Sequence, residues 1–442
     1  MLKQPKNYDQ IEKKEIAPHD KLERLLVELW QEVLGRKVGI DDNFFELGGN
    51  SIKAVMVMNR LQEKINSIFH PVSIFDAPTI SELAEYCQKN YPTLFKEYVD
   101  QVDLETISSN DKLTGDQIDK TTEHLRHRIS GKSVKPDMLG RKNKPAIFIF
   151  SPPRSGSTLL RVILGGHPRL FSPPELYLLS FNTLKERKNA LSGRMSFLQE
   201  GLIRTMMEMK SCQKEEAERL LKALEEQDIS TKEFFRLMQT WLGDRIIVDK
   251  TPPYAFNPEV LKRTDAEFEE AIYIHLVRHP AGTVCSFEKS RVDLAIGISN
   301  ELSLSPRQKG ESWWLISHQN ILAFLENIPT NSQYLVKFED LVKEPEPTVK
   351  GLCQFLDIDF YPDMLNPYKE KRHRMTDGVQ NLSKIMGDPK FHTHQGITAS
   401  IADQWKQEYP EDFLCEETWN MAESLGYTRH DFTDDDREVW EI

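Results

Sequence analysis

The chain has 442 residues, 39% hydrophobic and 29% charged, and its 69 acidic against 57 basic side chains leave a formal charge of −12. That balance excludes wholesale binding of a nucleic-acid backbone, which needs a strong basic excess, while leaving room for one local basic pocket. No apolar run approaches the roughly 20 residues that span a bilayer, the start MLKQPKNYDQ lacks an apolar signal core, and five scattered cysteines without a C-x-x-C predict reduced thiols in a cytoplasmic protein.

In chain order, the first predicted element carries Leu22, Leu25, Leu26, Leu29, Trp30 and Val33 at spacings of three and four, which lay one apolar stripe along a helix. A second helix is predicted over Ile52–Ile65 and a third over Ile80–Cys87, with Thr79 or Ser81 as its N-cap. Three helices without strand alternation make a small α-helical bundle, bounded at 18–92. The string Asp42-Asn-Phe-Phe-Glu-Leu-Gly-Gly-Asn-Ser51-Ile-Lys-Ala stands just before the second helix. For local structure alone, Gly48 and Gly49 make a turn and Ser51 caps the helix.

The whole string also resembles the attachment motif of acyl and peptidyl carrier proteins, in which the serine hydroxyl carries 4′-phosphopantetheine. GGNS preceded by DNFFEL is more similar to peptidyl carriers than to the GLDSL form of polyketide carriers. The resemblance runs from Leu22 to Tyr86 and takes in LxxLWxxVLG at Leu26–Gly35 and the FDAPTI segment. It implies covalent 4′-phosphopantetheine on Ser51 and a phosphopantetheinyl transferase as partner. The glycines would leave that serine exposed, and a helix N-terminus favours the phosphodiester it would bear.

Residues 93–143 are polar and read as a linker with one short helix near Asp116–Arg128. From 144 to 430 the pattern is that of an α/β domain. β-rich runs at Ala146–Phe150, Arg245–Val248, Ile272–Val277 and Tyr334–Phe338 are separated by longer amphipathic stretches, notably Ser196–Leu224 and Glu311–Leu325. Such alternation predicts a mainly parallel sheet covered on both faces. Residues 431–442 form an acidic tail expected to fray.

Ile147-Phe-Ile-Phe-Ser-Pro-Pro-Arg154-Ser-Gly-Ser-Thr158 runs from strand through tight loop into helix, a geometry that presents backbone N–H groups and a helix dipole to an anion. Ser155, Ser157 and Thr158 add hydroxyl donors, and Gly156 permits close approach. The nucleoside-triphosphatase pattern G-x-x-x-x-G-K-[ST] is not met, because Ser157 precedes Thr158 where Lys is required and the first Gly is missing. With the cation at Arg154, the loop instead resembles the 5′-phosphosulfate loop of sulfotransferases that use 3′-phosphoadenosine-5′-phosphosulfate. A second segment, Ile272-Tyr-Ile-His-Leu-Val-Arg278-His-Pro, leads into a predicted helix bearing Ser286. It is similar to that family's 3′-phosphate motif, in which Arg and a Ser eight positions later hold the phosphate. An Arg fork and a hydroxyl donor suit that ligand.

Val336-Lys-Phe-Glu339-Asp340-Leu resembles the family's late strand with its (Y/F)-E-D-L ending. His394-Gln395-Gly396, with Trp405 downstream, stands where the family has Arg-Lys-Gly and then Trp; the departure leaves a third contact to the 3′-phosphate open. The resemblance covers Pro145 to Tyr427 and implies a P-loop-like sulfotransferase domain.

It further implies Arg154 at the leaving 5′-phosphate and Lys250, in Val248-Asp-Lys-Thr-Pro-Pro-Tyr254, near the sulfuryl group. Lys250 read without the family is a solvated strand-end lysine. Glu175 in Phe171-Ser-Pro-Pro-Glu-Leu has two readings: it closes a Ser172-x-x-Glu175 capping box, or, as in similar sulfotransferase domains embedded in polyketide synthases, it is the general base. His167 and His394 are the alternatives for the base, since histidine titrates nearest neutrality. No metal is implied, because Arg and Lys would carry the transfer.

Joined, the halves imply sulfation of a hydroxyl, a β-hydroxyl in the similar assembly lines, on an acyl or aminoacyl chain tethered to the carrier. Upstream synthetase modules and a separate thioesterase are the expected partners, and retention of the sulfate ester is the alternative to release. A sulfotransferase for free small molecules that uses the carrier for docking, and a scaffold with an inactive second domain, are the other readings.

Overall fold

The computed structural model describes residues 21–49, 51–65, 74, 77–91, 112–128, 134–138, 140–290, 304–377, 391, 396–409 and 412–429. The chain divides into two units, Met1–Ile107 and Ser108–Ile442. Among the described residues, no helix is long and apolar enough to cross a membrane.

In the first unit, α1 (Lys21–Leu34) packs on α2 (Ser51–Ile65) and α3 (Ile80–Asn90). The apolar stripe of α1 is buried as Leu22, Leu25, Leu26, Leu29 and Trp30; Val57, Met58 and Leu61 of α2 and Ile80, Leu83 and Cys87 of α3 are buried with it. Met56 of α2 faces solvent, and Val57 turns inward. Trp30 meets Phe44 edge to face at 4.8 Å, which ties the segment before α2 to the bundle. Of the two candidate caps, Thr79 serves α3: its hydroxyl accepts from Glu82 N at 3.2 Å while Glu82 Oε2 accepts from Thr79 N at 3.1 Å.

Among the described residues, the second unit holds a sheet of five parallel strands in the order β2-β3-β1-β4-β5. These are β1 (Ile147–Phe150), β2 (Leu170–Phe171), β3 (Ile246–Lys250), β4 (Ile272–Val277) and β5 (Gln333–Lys337). In register, Ile147 lies opposite Val248 on one side and Ile272 on the other. Ile147 and Ile149 join Val248, Ile274 and Leu276 in one core, and Phe148 and Phe150 join Ile247 and Tyr273 in another. With both faces covered, the strand reads as an unbroken apolar run without alternation. β2 pairs over only two residues, too few to leave a pattern.

The helices of this unit include α4 (Gly115–Arg128), α5 (Ser157–Leu164), α6 (Leu184–Ala190), α7 (Glu200–Lys210), α8 (Lys214–Glu226), α9 (Thr231–Leu242), α10 (Pro258–Glu267), α11 (Pro280–Ser290) and α12 (Pro306–Leu325). Two departures from the sequence reading are physical. The stretch Ser196–Leu224 contains two helices, because Ser211 takes a left-handed φ of 49° between α7 and α8. And α4, inside the stretch read as a linker, packs Ile118 and Leu125 with Leu113 into a core shared with Trp313 and Trp314 of α12. Its polar composition belongs to the outer face.

β1 sits between β3 and β4, so the chain leaves it toward one half of the sheet and returns to the other. That switch opens a crevice at the C-terminal ends of the strands.

Candidate active site

Three strand ends meet at the crevice. After β1, the residues Ser151–Gly156 turn into α5. Arg154 adopts φ 70° and Gly156 φ 86°, both left-handed. A Cβ at Gly156 would lie 2.2 Å from the Phe338 ring, so conformation and space alike demand glycine there. Gly156 is the N-cap of α5 and supplies no side-chain cap, which leaves the first-turn N–H groups for another acceptor. Ser157, the first helical residue, is buried and Thr158 half-buried. The Ser155 hydroxyl is turned inward to Thr283 Oγ1 of α11 at 3.5 Å, so it ties the loop to that helix.

β4 ends at Arg278, and α11 carries Ser286. Arg278 Nη1 donates to the Arg154 carbonyl at 3.0 Å, and Arg154 Nε donates to Ser286 Oγ at 3.2 Å. The two motifs, well over a hundred residues apart, thus close on each other, and the second clamps the strained residue of the first. Arg278 is 8% exposed and lies 4.3 Å over the Phe338 ring. Among the described residues, its buried Nε has no hydrogen-bond partner. Burial, which Glu339 opposes and Arg154 reinforces, lowers its pKa to about 10. A buried guanidinium with an unmet donor beside a second guanidinium fits a multiply charged anion. Behind it, Glu339 accepts from His279 N at 2.9 Å and from Tyr427 OH at 2.8 Å, and the His279 ring stacks on Trp405 at 4.2 Å.

β3 ends at Lys250, which is 1% exposed and donates to Glu175 Oε1 at 2.7 Å; Glu175 itself is 24% exposed. Burial pushes the Lys250 pKa down and the charge of Glu175 pulls it back. The solvated-lysine reading therefore fails. The capping-box reading of Glu175 fails too: no helix starts at Ser172, whose hydroxyl has no partner among the described residues, and the carboxylate goes to Lys250 and to Tyr177 OH, 2.9 Å from Oε2. Next door, Asp249 accepts from Thr251 Oγ1 at 2.9 Å and Tyr254 OH at 3.0 Å, and burial raises its pKa to about 6.

The cluster therefore gathers Arg154, Gly156, Ser157, Arg278, Ser286, Lys250 and Glu175 around the C-terminal ends of β1, β3 and β4. His167 is elsewhere, beyond the far end of α5 and roughly 12 Å along that helix from the loop. There it lines a cavity of about 340 Å³ together with Ser172, Glu208, Arg245 and Tyr361. Gly396 is exposed, whereas His394 and Gln395 lie outside the described residues. Tyr177 escaped the sequence reading; its φ of 54° leaves no trace in composition or spacing.

In the first unit, Ser51 opens α2 behind a glycine turn. Gly48 takes φ 88°, and a Cβ at Gly49 would lie 2.4 Å from Phe44. That turn fits a group attached at the start of the helix.

Comparison with known proteins assigns both units. Residues 145–363 match the sulfotransferase family, and residues 24–87 match the phosphopantetheine attachment site. The solved sulfotransferase domain from the curacin biosynthetic pathway is 42% identical, with a TM-score of 0.60 over 65% of this chain and 99% of that one. The sulfotransferase domain from the Synechococcus PCC 7002 olefin synthase is 33% identical, with a TM-score of 0.58 over 66% of this chain and 98% of that one. Surfactin synthase subunit 2 of Bacillus subtilis (strain 168) is 42% identical over 74 residues, 17% of this chain. The match spans about 2% of that synthase's own length. With both known folds accounted for, the chain belongs to the sulfotransferase family and carries a phosphopantetheine attachment domain ahead of its sulfotransferase domain.

Proposed function

We propose that this enzyme transfers a sulfuryl group from 3′-phosphoadenosine-5′-phosphosulfate to a β-hydroxyl of an acyl or aminoacyl chain held on the 4′-phosphopantetheine arm of Ser51. When bound, the arm supplies the thioester tether and the nucleotide supplies the sulfuryl group with its phosphate leaving group. Arg154 and the N–H groups of α5 face the 5′-phosphate, where negative charge develops as the sulfur–oxygen bond breaks. Arg278 and Ser286 hold the 3′-phosphate. Lys250 stands by the sulfuryl oxygens, and Glu175 takes the hydroxyl proton as the new oxygen–sulfur bond forms.

The observation that carries this reading is the closure of Arg278 on the Arg154 carbonyl, with Arg154 in turn on Ser286. It joins the two motifs expected at opposite ends of one nucleotide. The carrier half is supported by the similarity to nonribosomal peptide synthases, and the setting by the curacin and olefin synthase domains. A phosphopantetheinyl transferase and upstream synthetase modules are the partners this reading requires, and tethering replaces substrate affinity with effective concentration.

Calorimetry tests the donor half. The protein should bind adenosine 3′,5′-bisphosphate more tightly than AMP, and Arg278→Ala should remove about 1.5–3 kcal/mol of that preference, the worth of a hydrogen bond to a charged group. Equal affinity of the wild type for both nucleotides would overturn the donor assignment.

A further inference from the structure

Glu175 accepts two hydrogen bonds from opposite sides. Lys250 Nζ donates to Oε1 at 2.7 Å, and the Tyr177 hydroxyl donates to Oε2 at 2.9 Å. We infer that Tyr177 is a positioning residue for the proton-accepting carboxylate, holding Glu175 in one orientation. This rests on the reading of Glu175 as the base.

Three observations carry the inference. First, Tyr177 sits at φ 54°, a left-handed conformation that strains an aromatic residue and bends the chain so that position 177 reaches back to 175. Such strain persists only where the surroundings over-determine it. Here Leu176 N donates to Thr251 Oγ1 at 3.2 Å, Arg187 Nε donates to the Leu176 carbonyl at 2.7 Å, and Leu179 N donates to Tyr254 OH at 3.2 Å. Thr251 and Tyr254 are both anchored on Asp249. The bend is therefore hung from the end of β3, the strand that also delivers Lys250.

Second, packing does not call for a phenol. The ring is buried in the apolar core that also holds Phe181 and Phe256, where phenylalanine would fill the same space. The hydroxyl's partner is Glu175.

Third, the hydroxyl is a donor at every working pH. Burial, followed by the charge of Glu175, raises its pKa well above the ordinary tyrosine value. The other charged groups around Glu175 are Lys250, Arg161 and Asp249. A donated hydrogen bond adds direction, which charge alone does not set. Lys250 supplies charge; Tyr177 supplies alignment.

Tyr177→Phe in the full chain tests this. The melting temperature and the affinity for adenosine 3′,5′-bisphosphate should stay near wild type. The maximal rate of sulfation of the tethered chain should fall about tenfold, the worth of one hydrogen bond to a charged group, while KM for the sulfate donor stays near wild type. An independent readout is the ¹³C carboxyl resonance of labelled glutamate at one fixed pH, with the Glu175 line identified by its loss in Glu175→Gln. In Tyr177→Phe that line should move, because the carboxylate loses the donor on Oε2. An unmoved line would overturn the inference whatever the kinetics. Near-native turnover of Glu175→Gln would instead sink the base assignment, and with it the catalytic meaning of the hold. The two failures are thus read from different experiments.

Discussion

Glu175 divides its carboxylate between a buried cation and a buried phenol. The two donors fix the direction of its two oxygens. Glu175→Gln keeps the shape but cannot accept the proton, so single-turnover sulfation should fall by about 10²–10⁴-fold with donor affinity retained. Some stability is lost as well, because Lys250 is left buried without its counter-charge; the assay therefore belongs well below the melting temperature. Near-native turnover would remove Glu175 from the mechanism. How much of this was legible depended on the residue. Arg154 and Arg278 stood out because each follows an apolar strand inside a motif that resembles one of the family's two phosphate-binding segments, in the right order and spacing. Glu175 sat in a string that also spells a helix cap, and only the absence of a helix after Ser172 separates the two meanings. Tyr177 was illegible, since its contact depends on one positive φ.

The end of β3 acts as a bracket for the site. It delivers Lys250 directly and, through Asp249, Thr251 and Tyr254, suspends the irregular segment that bears Glu175 and Tyr177. Asp249 is buried, and its pKa stands raised at about 6. An acid whose folded pKa lies above the ordinary carboxylate value contributes stability that is fully present below that ordinary range. The contribution is lost as pH rises through the folded value. Between about pH 4 and pH 7 the wild type should therefore lose about 2–3 kcal/mol relative to Asp249→Asn. Urea denaturation of both proteins across that range measures it, and parallel pH profiles would refute the bracket's titration. The elements themselves were visible in proportion to their burial pattern. β1 and β4 announced themselves as apolar runs because both sheet faces are covered. β2, with two paired residues, did not, and α4 was read as a short helix near Asp116–Arg128 without any sign that Ile118 and Leu125 join a core of the second unit.

For the whole molecule, each unit is explicable by itself: a bundle closed around Trp30 and Phe44, and a parallel sheet with a cationic crevice at its strand ends. Both fold classes follow from periodicity, and both families from motifs long enough to survive without an alignment. The substrate is another matter, because a tethered chain is recognised through its carrier as much as through a pocket, and tethering leaves no residue pattern of its own. The central claim is accordingly that the acceptor is the chain on Ser51. Intact-mass analysis of single turnovers tests it most directly. The wild type is loaded by a phosphopantetheinyl transferase with a β-hydroxyacyl arm and mixed with the sulfate donor, alongside Ser51→Ala given the same hydroxyacyl group as a free thioester. The wild type should gain one arm and then one sulfuryl group on that arm, and Ser51→Ala should gain neither, with its free thioester sulfated far more slowly. Sulfation of the free thioester by Ser51→Ala at the rate of the loaded wild type would contradict the account.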